Sequence, residues 1–168
     1  MRALYKLVSA IFALALLGAP AAAQPAKSGK YIGKAAFHLP GGVEQTYELE
    51  KGHVFVLGPA HGVFLNDVAG GFIDKTEVVC PRVLDIVGGV PVAGHGYCIV
   101  TDKDGDKAFL VWQQQGKGTA DGTGGGTFQW TGGTGKYSGL QGNNTFHYTA
   151  IGKTPSFVVV WEGDWRLP

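Results

Sequence analysis

Six aromatic side chains, Trp112, Phe128, Trp130, Phe146, Tyr148 and Trp161, recur at alternate positions on neighbouring β-like runs of this chain. Between them stand polar residues, among them Gln113, Thr127, Gln129, Thr145 and His147. One face is thus aromatic and the other polar, as in a sheet that buries a single face. Turned into a narrow barrel, such a face is a core; in a wider one it lines a pocket for an apolar molecule. Rings give a wide contact area with few rotors, which suits a flat ligand. Some of these six rings are expected to contact a small apolar or aromatic ligand.

Acid–base chemistry would draw on carboxylates isolated within apolar runs. Glu77 and Asp85 lie in TEVVCPRVLDIV with Arg82 between them, and Glu162 and Asp164 lie in VVVWEGDW. Most such acids face water or pair with a nearby base, so no catalytic residue is assigned. Asp102, Asp104 and Asp106 invite a calcium reading, but an EF-hand loop needs Gly at position six and Glu at twelve. Those places hold Lys107 and Gln113, which makes the segment a charged hairpin tip. The five histidines show no metal-ligand spacing, and no metal or cofactor is expected. Nucleophile elbow, dinucleotide fingerprint and phosphate-loop lysine are all missing from the sequence, so none of those chemistries is indicated.

Arg2 and Lys6, the apolar run Leu7–Gly18 and Ala21-Ala22-Ala23 have the layout of a cleaved export signal over residues 1–23. The apolar run is short for a bilayer span, which needs about 20 residues. A periplasmic or secreted protein is expected, with no membrane span after cleavage. Losing Arg2 and Lys6 from 14 basic residues leaves 12 against 13 acidic, a near-neutral chain. No Lys/Arg cluster marks a nucleic-acid partner. Cys80 and Cys98 both fall in the exported part, and in an oxidising compartment an isolated pair reads as a disulfide.

The elements that must position these residues are short. Residues 24–30 read as a flexible leader and 31–168 as one β domain. Runs bounded by Gly and Pro predict strands over Tyr31–Leu39, Val43–Leu49, His53–Leu57, His61–Val68 and Thr76–Val87. Gly58-Pro59 is expected to end one of them, and Pro81 to place the fifth at an edge or a bulge. A loop is expected over Gly88–Gly94. Further strands are predicted over His95–Thr101 and Asp106–Gln114, around an Asp104-Gly105 hairpin turn. Gly116–Gly125 is the loosest stretch, and the last strands are Gly126–Thr131, Asn143–Ile151 and Ser156–Glu162. The class is all-β: an antiparallel barrel of about eight strands, with a sandwich as second choice.

Thr131–Gly142, TGGTGKYSGLQG, holds five glycines and turns the chain back between two of these strands. Tyr137 and Leu140 read as apolar pegs in that corner. With GTFQW before it and GYCIVTDKDGDKAFLVW further upstream, the corner resembles secreted bacterial proteins. The same kind of turn occurs in plant dirigent proteins and allene oxide cyclase-like barrels. The resemblance covers roughly Glu77–Tyr148 and favours the closed barrel. It implies cofactor-free handling of a small apolar molecule, and it allows a homo-oligomer; no catalytic residue of those families is carried over.

Two functions follow as expectations. The first is a barrel that binds a small apolar or aromatic ligand without catalysis. The second is a cofactor-free isomerase, cyclase or lyase; a filled barrel would leave only a structural or interaction role. The export reading has its own test. Protein exported by a bacterial host is expected to begin at Gln24 by intact mass, and a full-length product held in the membrane would contradict it.

Overall fold

Alternation of inward apolar and outward polar residues builds nine strands: β1 (Ser28–His38), β2 (Gln45–Glu50), β3 (His53–Phe64), β4 (Glu77–Val87), β5 (Val90–Thr101), β6 (Lys107–Gln114), β7 (Thr123–Gly133), β8 (Gly142–Ala150) and β9 (Ser156–Arg166). The computed structural model describes residues 26–66 and 69–168; the expected export signal and the first two residues of the expected leader lie outside them. Every neighbouring pair is antiparallel, in the order β1-β9-β8-β7-β6-β5-β4-β3. β1 also pairs with β3, from Ala35↔Phe64 to His38↔His61, which closes an eight-stranded barrel. The sandwich is thereby excluded. β2 lies on the same edge of β3 as β1, further along the strand, and all six of its residues are exposed.

The barrel departs from the sequence reading in four places, each for a local reason. The leader is shorter than expected, because Ser28, Gly29 and Lys30 already pair with Arg166, Trp165 and Asp164. Gly58-Pro59 does not interrupt β3, nor does Pro81 put β4 at an edge. Pro59 and Pro81 stand opposite each other in register, where an antiparallel pair need exchange no hydrogen bond. On its other side Pro59 meets the gap between Leu57, where β2 pairing ends, and His61, where β1 pairing begins. The N–H that Pro59 lacks falls in that gap, and the one that Pro81 lacks falls on the β5 side, where the ladder skips Cys80 and Pro81 between Val79↔Ile99 and Arg82↔Gly96. The expected loop Gly88–Gly94 shrinks to Gly88-Gly89, both at positive φ, with β5 starting at Val90. A two-residue turn of that shape matches the twist of the strands. The hairpin between β5 and β6, in contrast, needs all of Asp102–Asp106 rather than a two-residue turn.

Cys80 and Cys98 face each other across β4 and β5, with Cα atoms 4.1 Å apart, and form a disulfide. In the chain-entropy picture, closing a loop of this size stabilises by on the order of 3 kcal/mol.

The two barrel ends differ. At one, Phe72 from the β3–β4 connection stacks on Trp165, with ring centroids 4.6 Å apart, and meets Trp130 and Tyr31 edge-on. The glycine corner closes this end, with Tyr137 and Leu140 buried as its pegs. Outside, Asp106 receives the backbone N–H of Lys136, while the Lys136 ammonium pairs with Asp102 and Asp104. Those partners hold the Lys136 ammonium above its usual pKa, although its burial works against this. The hairpin tip DKDGDK thus serves as the clamp of the corner.

Gly135 has φ +49°, and a Cβ there would strike the Asp106 carboxylate. Gly135→Val is therefore expected to cost about 1–3 kcal/mol in backbone strain, with the collision added. Ser138→Ala, on an exposed neighbour, is expected to stay within about 0.5 kcal/mol. Urea unfolding of both variants decides it; equal midpoints would show that the corner is no constraint.

Candidate ligand cavity

Eight strands enclose a bore that side chains can only just fill, so the size of inward residues decides where space remains. Towards the closed end the bore is occupied by Phe64, Phe128, Trp130 and Trp161, packed with centroid distances of 4.6–5.9 Å. Towards the other end, β3, β4 and β5 contribute Ala60, Cys80 and Cys98 instead of rings. The result is a cavity of about 320 Å³. Its rim comes from one set of loops: Leu39 after β1, Gly89 and Pro91 at the β4–β5 turn, Gly122 before β7, and Thr154-Pro155 between β8 and β9.

Of the six rings singled out by alternation, four line this space: Trp112, Phe146, Tyr148 and Trp161. Trp112 and Phe146 meet edge-on at 5.6 Å, forming one wall. Phe128 and Trp130 do not reach it; they belong to the packed end and are only 2% and 3% exposed. Phe37 and Phe157, stacked at 5.2 Å across β1 and β9, complete the aromatic lining. Alternation located the inward face but not the depth along the bore, and depth decides between packing and lining.

Besides Thr154 and Ser156 towards the rim, three polar side chains interrupt the apolar wall. Arg82 points inward from β4, its side chain 8% exposed. Nη2 donates to Glu44 Oε1 at 2.7 Å and Nη1 to the Gly58 carbonyl at 3.1 Å. Gly58 has no side chain where Glu44 crosses; a Cβ there would come within 2.7 Å of the Glu44 Cγ. Gln114 is buried on β6, and its amide donates to the carbonyls of Pro91 and Gly116, both at 3.0 Å. Tyr148 on β8 has a buried hydroxyl with no hydrogen-bond partner. Burial pushes its pKa up, so the phenol stays protonated and able to donate.

Arg82 and Gln114 were missed as site residues, although a signal was present. Arg82 stands two residues after Cys80, and Gln114 two after Trp112. On a strand that spacing shares a face, so a buried disulfide carries its i+2 neighbour inward. The acids considered earlier stay out of the cavity. Asp85 Oδ1 accepts from His53 Nε2 at 2.5 Å on the outer wall, while Glu77, Glu162 and Asp164 are exposed. Among the described residues, no group of three His, Cys, Asp or Glu side chains is placed to hold a metal.

No family model matches the chain, and no curated protein matches it. Among solved structures it is similar to the pterocarpan synthase dirigent protein GePTS1. The TM-score is 0.52 and the identity 9%, covering 84% of this chain and 92% of that one. At this identity the likeness is one of fold.

Because the Tyr148 hydroxyl is buried without a partner, its desolvation is an uncompensated cost of about 1–3 kcal/mol. Tyr148→Phe is expected to leave stability unchanged or raise it by about 1 kcal/mol in denaturant unfolding. A loss of similar size would mean that the hydroxyl is bonded in the folded protein. With these observations the chain is described as a dirigent-like, closed eight-stranded antiparallel barrel with one end plugged and one end hollow.

Proposed function

We propose that this is an exported barrel, of the kind found in secreted bacterial proteins, that binds a small apolar or aromatic molecule without transforming it. The observation that carries the reading is the 320 Å³ cavity with aromatic walls at the hollow end. That volume lies at the low end of the range for small-molecule sites, about 300–1,000 Å³. Export is supported by the leader pattern of residues 1–23 and by the Cys80–Cys98 disulfide. The lining's charged and phenolic groups are a guanidinium and a protonated phenol, which orient a molecule more readily than they remove a proton from it.

One feature favours the second reading, a cofactor-free isomerase, cyclase or lyase. The protonated Tyr148 phenol, once turned from its seat against Gly118 and Gly124 into the cavity, can donate to an oxygen that gains negative charge. Under this reading Tyr148→Phe abolishes turnover; under the first it changes only affinity.

Trp112 and Trp161 line the cavity, so binding is visible as a change in tryptophan emission. A panel of fatty acids, phenolics and terpenoids is expected to include members that shift the emission and raise Tm by mass action. Ala60→Phe, which fills the cavity from β3, is expected to abolish both effects. No shift with any compound, or full binding by Ala60→Phe, would overturn the reading.

A further inference from the structure

We propose that the ligand of this cavity is an apolar monocarboxylate, held by its carboxylate to Arg82, and that Glu44 occupies that position in the empty protein. The proposal rests on the ligand-binding reading above and names the chemical class of the molecule.

The argument begins with the cost of the guanidinium. Arg82 is the cavity's one cationic lining residue among the described residues, and its side chain is 92% buried. A charge taken out of water in an apolar wall needs an anionic partner. Replacing such a pair by hydrophobic side chains of similar volume is often neutral or stabilising. The wall around it shows what that alternative looks like, since Leu84 and Leu110 fill equivalent inward places. Stability therefore gives no reason for Arg82 to be there.

The pairing itself is incomplete. A guanidinium presents five N–H groups in a fork that matches both oxygens of a carboxylate. Here two are engaged, one by a backbone carbonyl and one by a single oxygen of Glu44. Glu44 is also not built into the barrel. It lies in the turn before β2, outside the strands, and its side chain is 29% exposed. It reaches Arg82 over Gly58. A carboxylate arriving from the cavity can engage the guanidinium with both oxygens, and Glu44 can turn back into water at little cost. The chain thus carries its own weak competitor for the site.

The far wall supplies the apolar surface. β4 and β8 are four strands apart in a ring of eight, so Arg82 and Tyr148 lie on opposite sides of the bore. Between them run the rings of Trp112, Phe146 and Trp161. The cavity therefore fits a molecule with an anionic end and an apolar body.

The test compares each acid with an alcohol of the same skeleton at neutral pH: dodecanoate with dodecanol, and 2-naphthoate with 2-naphthalenemethanol. The aliphatic and aromatic pairs distinguish the two kinds of body. Affinities are read from tryptophan emission for the wild type, Glu44→Gln and Arg82→Gln. The decisive quantity is the acid-to-alcohol affinity ratio. It is expected to exceed one in the wild type and to rise on the order of tenfold in Glu44→Gln, where the competing charge is gone. In Arg82→Gln it is expected to fall to about one, with alcohol binding retained. If Arg82→Gln does not fold, the Glu44→Gln ratio decides alone. Alcohol binding with a ratio that Glu44→Gln leaves unchanged overturns the carboxylate proposal and leaves the apolar-ligand reading standing. No binding of any of the four compounds overturns both.

Discussion

Closure of the sheet is the constraint from which the rest of this molecule follows. β1 makes it, pairing along its full length from Ser28 to His38 with β9 and over its last four residues with β3. Without that second pairing, β1 and β3 would each expose a row of unpaired N–H and C=O groups, the open edge that sheets otherwise have to protect. With it, the inward residues of eight strands face one another across a common bore. Every question about function then becomes a question about how that bore is filled.

The filling is lopsided for a simple steric reason. Large rings crowd one end, where Phe64, Phe128, Trp130 and Trp161 touch and Phe72 and Trp165 stack beneath them. Each such ring pair contributes about 0.5–1.5 kcal/mol beyond the area it buries. This end therefore holds the strands in place. At the other end, Ala60 and the Cys80–Cys98 disulfide stand where further rings would have closed the space. The disulfide has a double effect there: it ties β4 to β5, and its small volume leaves the cavity open. Plug and cavity are two consequences of one sequence of inward residues.

Much of this was legible in the residues, and the parts that were not share a cause. The all-β class, the inward aromatic face and the cysteine pairing follow from alternation and from cysteine usage, which are local. The two prolines were misread because their effect depends on what lies opposite. Pro59 is harmless because it faces Pro81 and a gap between two partner strands, a fact of register alone. Gly88-Gly89 similarly closes a tighter turn than the surrounding VGGVPVAGHG composition suggests. Phe128 and Phe146 look alike in sequence, yet one packs and one lines, because register sets Phe146 opposite Gly126, two residues nearer the hollow end than Phe128. Arg82 was the costliest omission. Its inward direction could have been read from Cys80, but its partner Glu44 lies in a turn 38 residues away.

Two polar groups at the hollow end are incompletely served by the protein's own atoms. Glu44 offers Arg82 one oxygen, from a turn that sits outside the barrel. The Tyr148 hydroxyl is buried with no partner at all. Gln114, by contrast, spends both of its amide donors on backbone carbonyls and so belongs to the rim structure. Well-packed interiors satisfy their buried polar groups, and exceptions call for a reason. The Tyr31 hydroxyl and the Trp130 indole N–H at the plugged end are unpartnered too, so an unfilled hydrogen bond alone does not mark a ligand. Arg82 differs, because its anionic partner comes from outside the barrel while its guanidinium borders an apolar cavity, where the acceptor of a third party can meet it.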